Sequence, residues 1–294
     1  DFELFGKNCT FTDDSVMTIA IAEGLMNGGA PDDYIKAMKR LGRIYSDVGY
    51  GPHFCKWLSS DDANPYNSWG NGSAMRVSAV GWAYDSLEST ENAAETSAAV
   101  THNHPEGIKG AQATAASIFL ARNGKTKEEI KTYIEDRFGY DLSRALDEIR
   151  PSYEFDVSCM GTVPEAIIAF LESDGFEDAI RNAVSLGGDS DTLAAITGSI
   201  AEAAYGIPEP IRSKALSLVD EPLLEVYNRF SAYLAGLQPT ERGQLSEEKN
   251  EINEVEKHNS REEYNPHFMG LSHMDEISEL IHTAVTKNRK EEGD

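Results

Sequence analysis

The chain has 294 residues and a formal net charge of −24 at pH 7, with 26 Lys and Arg against 50 Asp and Glu. This negative charge argues against nonspecific binding to nucleic acid or to an anionic membrane, because both attract the opposite sign. The three cysteines, Cys9, Cys55 and Cys159, are odd in number and widely spaced, so neither a disulfide framework nor a zinc ribbon is indicated. With no signal peptide and no apolar run of about 18 residues, a soluble, cytoplasmic protein is expected.

The first predicted helix begins in an acidic cluster. Residues 12–15 read T-D-D-S and lead into the apolar run V-M-T-I-A-I-A-E-G-L-M. Thr12 is expected to cap this helix, with Asp13 and Asp14 in its first turn. Asn27-Gly28-Gly29 is expected to end it, and Pro31 to start the next helix.

The middle of the chain contains two candidate ligand-binding segments. Residues 49–69 are rich in Gly, Pro, Asn and Ser and predict an irregular loop of a length that is commonly functional. The loop closes with S-W-G-N-G-S at 68–73, where backbone N–H groups before a helix suit phosphate, although an ordinary turn has the same composition. T-H-N-H follows at 101–104. Because this neighbourhood lacks further zinc ligands, its histidines are expected to hydrogen-bond to substrate or to the core.

The last third of the domain repeats the acidic pattern. T-V-P-E at 162–165 resembles a capping box opening the A-I-I-A-F-L helix. G-G-D-S-D-T at 187–192 opens another apolar helix, which places Asp189 and Asp191 within three residues of each other. Pro208 and Pro210 are expected to break the chain before a final core helix. No alternating β pattern is present, so the sequence predicts an all-α protein.

The composition changes after about residue 239, which sets the predicted domain organisation. Residues 1–238 are expected to form one helical domain. Residues 239–270 are highly charged and predict a linker, since they contain too few large apolar residues to fold alone. Residues 271–294 are expected to contain a short amphipathic helix.

Together, the two acidic clusters suggest a metal site. Singly, T-D-D-S and S-D-T are ordinary N-cap sequences. Both, however, open unusually apolar helices, where neighbouring carboxylates repel each other unless a cation lies between them. Asp oxygens and Thr hydroxyls suit magnesium or manganese, and two such ions about 4 Å apart would use both clusters.

Four motifs in this order carry a family resemblance. They are T-D-D-S at 12–15, G-N-G-S-A-M-R at 70–76, T-H at 101–102 and G-G-D-S-D-T at 187–192. Over about residues 8 to 236 the chain resembles the ADP-ribosylglycohydrolase family. The resemblance implies an orthogonal multi-helix bundle with a binuclear centre of two Mg²⁺ or Mn²⁺ ions. It also implies a preceding helix with a G-D-x-x-G type motif, so a longer native gene product, with an N-terminal helix absent here, is expected.

The resemblance also implies roles for individual residues. By position, one metal would be bound by Thr12, Asp13 and Asp14, the other by Asp189 and Thr192, with Asp191 bridging. Asp13, Asp14 and Asp191 would also be the catalytic carboxylates that assist proton transfer. ADP-ribose would be bound by Ser68, Trp69, Gly70, Asn71, Gly72, Ser73 and His102. Ser15 stands where Thr is common, which keeps the hydroxyl.

The function expected from these residues is hydrolysis of the glycosidic bond between ADP-ribose and a protein side chain or small acceptor. A monomer acting on ADP-ribose or ADP-ribosylated protein is predicted. Two alternatives stay open: a catalytically inactive ADP-ribose-binding or crystallin-like structural relative, and a binuclear-metal nucleotide phosphohydrolase. Retention of four buried acids argues against the first. The second would release phosphate instead of intact ADP-ribose. The sequence fixes neither the acceptor nor the choice between magnesium and manganese.

Overall fold

The computed structural model describes residues 2–236, and the regular elements in this part of the chain are helices. They are α1 (Asp13–Met26), α2 (Pro31–Ile44), α3 (Pro52–Ser59), α4 (Gly72–Met75), α5 (Ser78–Ala83), α6 (Leu87–Ala99), α7 (Pro105–Arg122), α8 (Lys127–Phe138), α9 (Leu146–Ile149), α10 (Cys159–Leu171), α11 (Phe176–Ser185), α12 (Ser190–Tyr205), α13 (Glu209–Leu216) and α14 (Glu221–Gly236). The all-α prediction is confirmed. The predicted linker at 239–270 and helix at 271–294 lie outside the described residues.

β-Structure in residues 2–236 amounts to one isolated antiparallel bridge between Gly70 and Ser158. Within the same range, every helix falls short of the length and apolar character needed to span a bilayer. The described residues therefore rely on helix packing for their architecture.

The capping box predicted at 162–165 is wrong. α10 begins three residues earlier, at Cys159, because the Ser158 hydroxyl accepts a hydrogen bond from the Gly161 N–H at 3.0 Å. A serine in this position is a strong helix start. Pro164 consequently lies inside α10.

Two other segments contain helices that were not predicted. The segment 49–69 holds α3, whose first residue is Pro52, a residue already restricted to a helical φ angle. Pro210 likewise lies in the first turn of α13 instead of ending helical structure. In the sequence, Pro52 and Pro210 were interpreted as marks of irregular backbone, but each lies in the first turn of a helix.

Two hydrophobic cores are joined by α7. The first core is built mainly from α1, α2, α3, α5 and α6, and the second mainly from α8, α10, α11 and α12. Ala111 and Ala115 of α7 belong to the first core, whereas Ala113 and Ala116 belong to the second. Small residues permit this double packing: a Cβ atom at Gly110 would overlap the Cys159 sulfur of α10.

The short helix α4 lies at the boundary between the two cores. Ala74 packs in the second core and Met75 in the first. α4 also contacts both α1 and α12, which contact each other. The starts of α1 and α12 consequently meet where the cores meet, and both predicted acidic clusters lie at these starts.

Candidate active site

The two acidic clusters come together in the folded chain. The charges of Asp189 and Asp191, at the start of α12, act on Asp13 in α1, and the Asp191 charge also acts on Asp14. Burial is the main cause that raises the pKa of Asp13 to about 6 and that of Asp14 to about 7, and the neighbouring carboxylates add to both shifts. The predicted meeting of the clusters is therefore observed as a set of mutually repelling acids.

Hydroxyl groups accompany these acids, as the sequence indicated. Thr12 occupies the N-cap position of α1, but its hydroxyl makes no cap hydrogen bond and instead donates to Asp14 Oδ2 at 3.0 Å. The Thr192 hydroxyl donates to Met75 Sδ at 3.9 Å and is close enough to Asp14 and Asp189 to lower the pKa of both carboxyl groups. The expectation that Thr12 caps α1 with its side chain is wrong, because the carboxylate of Asp14 takes the hydroxyl.

The donor chemistry at this place fits a hard divalent cation. Asp14 is 6% exposed, and its Oδ1 is buried without a hydrogen-bond partner among the described residues. Such an oxygen costs free energy unless a proton or a cation satisfies it. All the surrounding donors are oxygens, which magnesium and manganese prefer. Within residues 2–236, no three or more Asp, Glu, His or Cys side chains already converge as a metal site.

Asn71 connects the turn at residues 70–72 with the acids. Its side-chain amide donates to Asp189 Oδ2 at 2.7 Å and to Thr162 Oγ1 at 3.1 Å. Its backbone N–H donates to the Val157 carbonyl at 2.8 Å. Burial raises the pKa of Asp189, and the hydrogen bond from Asn71 opposes that shift. Asn71 therefore fixes the orientation of Asp189 and holds the turn in place.

The other predicted substrate residues have distinct surroundings. The Ser73 hydroxyl is buried and donates to the Gly107 carbonyl at 2.7 Å, so it anchors the turn to α7. Ser68 Oγ accepts from the Gly70 N–H at 3.1 Å, which closes the preceding turn. The Trp69 side chain is 47% exposed and is available to a ligand.

His102 lies against the glycines of the turn. A Cβ atom at Gly72 would be 3.2 Å from His102 Nε2, and one at Gly70 would be 3.7 Å away. Burial lowers the pKa of His102 well below its ordinary value, and the nearby Arg76 charge lowers it further. The imidazole is therefore neutral. His104 has a separate task, since its Nδ1 accepts from the Glu106 N–H at the start of α7.

An exposed apolar surface beside the turn was missed by the sequence analysis. The Cys159 N–H donates to the Trp69 carbonyl at 3.1 Å, which brings the segment before α10 alongside the turn. Four large apolar side chains on these two segments are between 43% and 70% exposed: Trp69, Phe155, Val157 and Met160. We call them the apolar rim. The spacing of Phe155, Val157 and Met160 matches no motif, and only their position in the fold marks them.

Gly49 and Tyr50 lie in the loop that was predicted to be functional, but their closeness to Asp13 was not predicted. The Asp13 N–H donates to the Val48 carbonyl at 2.9 Å, which places the following residues near the Asp13 carboxylate. A Cβ atom at Gly49 would lie 3.1 Å from Asp13 Oδ1, and the backbone there has a φ of 109°. Glycine is therefore favoured at this position for both space and conformation.

Comparison with known proteins agrees with this geometry. Residues 2–242 match the family model described as ADP-ribosylglycohydrolase. The chain belongs to this family. The resemblance inferred from the four motifs is confirmed, and the match extends over all the helices of the described part of the chain.

Relatives of this ADP-ribosylglycohydrolase family member include proteins named ADP-ribosylhydrolase and proteins named ADP-ribosylarginine hydrolase. ADP-ribosylhydrolase ARH3 of Mus musculus is 29% identical over 263 residues, covering 68% of this chain and 70% of the relative. ADP-ribosylarginine hydrolase Tri1 of Pseudomonas putida (strain GB-1) is 29% identical over 227 residues, covering 67% of this chain and 59% of the relative. A solved chain from an ADP-ribosylglycohydrolase-related protein complex has a TM-score of 0.55 and 28% identity, covering 74% of this chain and 80% of its own. These similarities support a hydrolase.

Proposed function

We propose that this chain is a metal-dependent hydrolase that cleaves the glycosidic bond between ADP-ribose and a modified protein side chain or small acceptor. The observation that carries the proposal is the meeting of two acidic helix starts beside the turn at residues 70–72. Of their carboxylates, Asp14 is buried, Asp13 and Asp189 are half-buried and Asp191 is exposed. The names of the relatives support ADP-ribose as the group that is released.

The residues that would hold two Mg²⁺ or Mn²⁺ ions are those with oxygen donors at the starts of α1 and α12. They are Thr12, Asp13, Asp14, Asp189, Asp191 and Thr192. Such ions would orient a ribose and a water and lower the pKa of that water. The carboxylates of Asp13, Asp14 and Asp191 would accept or return a proton.

The neighbouring turn and the apolar rim supply the remaining contacts that ADP-ribose needs. Backbone N–H groups of the glycine turn and the His102 imidazole suit oxygens of the diphosphate or ribose. The exposed side chains of Trp69 and Phe155 suit the adenine base, because a flat aromatic ligand gains from stacking on aromatic and apolar groups. The site thus offers separate surfaces to the two ends of the ligand.

A purely structural protein is a poorer account of these residues. The buried Asp14 and the half-buried Asp13 have raised pKa values, and one oxygen of Asp14 is unsatisfied. Ionised carboxylates in such surroundings destabilise a fold in the absence of a cation. A structural relative would gain stability by losing them. A nucleotide phosphohydrolase would use the same donors, so the released product distinguishes it from the proposed enzyme.

The first test is calorimetric titration of ADP-ribose with and without magnesium, on the wild-type chain and on Asp191→Ala. Binding that needs the metal and is lost in the variant is expected. ADP-ribosylated arginine and serine peptides would then serve as substrates. Release of intact ADP-ribose supports the proposal, whereas release of phosphate points to the phosphohydrolase. Tight binding that is unchanged by metal and by Asp191→Ala would contradict the metal site.

The apolar rim is tested by Phe155→Ala. Loss of a stacking surface worth about 1 kcal/mol is expected to weaken ADP-ribose binding roughly five-fold. Ribose 5-phosphate, which lacks the base, should bind the variant and the wild type equally. Phe2→Ala is the matched control, since Phe2 is also exposed but packs over Arg181. Equal ADP-ribose affinity for Phe155→Ala and wild type would exclude the rim as the adenine surface.

A further inference from the structure

Arg76 is a buried cation without a carboxylate partner in the described part of the chain. It follows α4 and is 1% exposed. Burial lowers the pKa of its guanidinium to about 10, so the group is still charged at neutral pH. The ion pairs found among residues 2–236 do not include it, and its Nε is buried without a hydrogen-bond partner there. Such a charge is costly to bury, which raises the question of what it does.

The guanidinium binds the residue that precedes His102. A terminal nitrogen of Arg76 donates to Thr101 Oγ1 at 2.8 Å and makes a longer contact of 3.4 Å with the Ser97 carbonyl. Thr101 Oγ1 in turn lies 2.7 Å from His102 Nδ1. Thr101 is fully buried, so water does not compete for its hydroxyl.

The direction of these hydrogen bonds follows from the chemistry of arginine. A guanidinium can only donate, so Thr101 Oγ1 must accept from Arg76. The hydroxyl proton of Thr101 then needs an acceptor, and in the described residues the Nδ1 atom of His102 is the one within reach. If Nδ1 carried a proton instead, the hydroxyl proton would be buried without a partner. The imidazole proton consequently lies on Nε2.

The Nε2 atom points to the glycine turn. It is the imidazole atom nearest to the positions that a Cβ atom would take at Gly70 and Gly72. It makes no hydrogen bond to another of the described residues, so its N–H is available to a ligand. The Tyr66 ring also lies near the imidazole, with its centroid 6.0 Å from that of His102.

We propose that Arg76 and Thr101 are positioning residues that hold His102 as a neutral imidazole with its proton on Nε2, aimed at an acceptor oxygen of the ligand. This role rests on the proposed ADP-ribose site. The nearby guanidinium disfavours a second proton on the ring, and the threonine hydroxyl disfavours the other tautomer. The ligand therefore meets a fixed, uncharged donor whose state does not change over the physiological pH range.

The test is nitrogen NMR of the histidine imidazoles in the ligand-free protein, with His102 assigned by His102→Asn. In the wild type, the His102 signals should show a proton on Nε2 and a bare Nδ1, unchanged between pH 8 and pH 5.5. Thr101→Val removes the hydroxyl at nearly constant volume, so the donor to Nδ1 is lost and a population of the Nδ1-protonated form should appear. Thr101→Ser should restore the wild-type pattern.

A matched control separates the role of Thr101 from general effects of burial. Thr114 is also buried, and its hydroxyl has no partner among the described residues, so Thr114→Val should leave the imidazole signals unchanged. Arg76→Met removes the donor that makes Thr101 Oγ1 an acceptor, so a population of the Nδ1-protonated form should appear. If that variant does not fold, Thr101→Val still decides the question.

Affinity for ADP-ribose in the presence of magnesium completes the test. Thr101→Val is expected to weaken binding about five- to ten-fold, and Thr101→Ser to restore it. A wild-type His102 with its proton on Nδ1, or an unchanged tautomer in Thr101→Val, would overturn the proposal. Failure of the wild type to bind ADP-ribose would instead contradict the proposed function, because the tautomer is measured without ligand.

Discussion

Asp14 is the residue at which stability and the proposed chemistry conflict most directly. Its carboxylate is buried and close to the charges of Asp191 and Asp13, and one of its oxygens has no partner in the described residues. An ionised Asp14 therefore destabilises the metal-free fold. Asp14→Asn keeps the volume of the side chain but removes its charge, so it should relieve part of this destabilisation.

We expect Asp14→Asn to raise the free energy of unfolding of the metal-free protein by about 1–3 kcal/mol at pH 8. Because burial raises the folded-state pKa from 3.8 to about 7, the wild type loses stability as pH rises through this range. The gain in stability from Asp14→Asn should accordingly disappear near pH 4. Urea unfolding in the presence of a chelator measures both values.

The exposed Asp61 provides the control, and Asp61→Asn should change stability by less than about 0.5 kcal/mol. Magnesium should stabilise the wild type but not Asp14→Asn. A metal-free Asp14→Asn protein that is less stable than the wild type at pH 8 would show that the carboxylate is satisfied by a partner.

The sequence was sufficient to predict which acids the fold brings together, but not all of the contacts that they make. Asp13, Asp14, Asp189 and Asp191 stand out because paired acids open apolar helices. Thr12 was expected to cap α1 with its side chain, yet its hydroxyl is turned toward the Asp14 carboxylate, to which it donates, and accepts from no backbone N–H of the helix. Phe155 could not be found, since exposure and nearness to the turn depend on the fold.

At the scale of elements, α7 and α10 depend on the absence of a side chain at Gly110. A Cβ atom there would overlap the Cys159 sulfur. Gly110→Ala should therefore destabilise the protein by about 1–3 kcal/mol, despite the higher helix propensity of alanine. Cys159→Ala in the same chain should restore part of the loss, and urea unfolding of the four proteins gives the interaction energy.

Gly236→Ala serves as the matched helical control, because a Cβ atom at Gly236 would meet nothing within 4 Å. Its effect should be small. If Gly110→Ala were as stable as the wild type, or if Cys159→Ala gave no recovery, the close approach of α7 and α10 would not be what requires glycine.

Helix type was easier to predict than helix boundaries. The periodicity of apolar residues indicated α-helices, and the structure confirms them. The start of α10 was misplaced because T-V-P-E fits a capping pattern, whereas Ser158 starts the helix and Pro164 is tolerated inside it. In the segment 49–69, Pro52 indicated a loop although it occupies the first position of α3. Where the sequence offers two possible first residues for a helix, local patterns do not determine which one is used, because tertiary packing decides.

At the scale of the whole molecule, the reactivity of the three cysteines distinguishes the native state from opening of the second core. Cys9 and Cys55 are exposed, whereas Cys159 is fully buried between α7 and α10, and burial raises its pKa to about 12. Alkylation followed by mass spectrometry should label the first two quickly. Cys159 should react only when the second core opens, at a rate that rises steeply with urea.

Magnesium with ADP-ribose should slow the labelling of Cys159 and leave the rates of Cys9 and Cys55 unchanged, because binding stabilises the folded state. The same compounds should have no effect on Asp191→Ala. Equal labelling of all three cysteines in native protein would contradict the packing of the second core.

The position of the acids at the boundary of the two cores has a consequence for synthesis in the cell. Asp14 and Asp189 are 175 positions apart (189 − 14), and one belongs to the first helix while the other precedes the twelfth. A nascent chain that has released only its first half from the ribosome has formed one side of the site. The proposed site is therefore incomplete until α12 has emerged and packed, so a product truncated before α12 should lack the proposed activity.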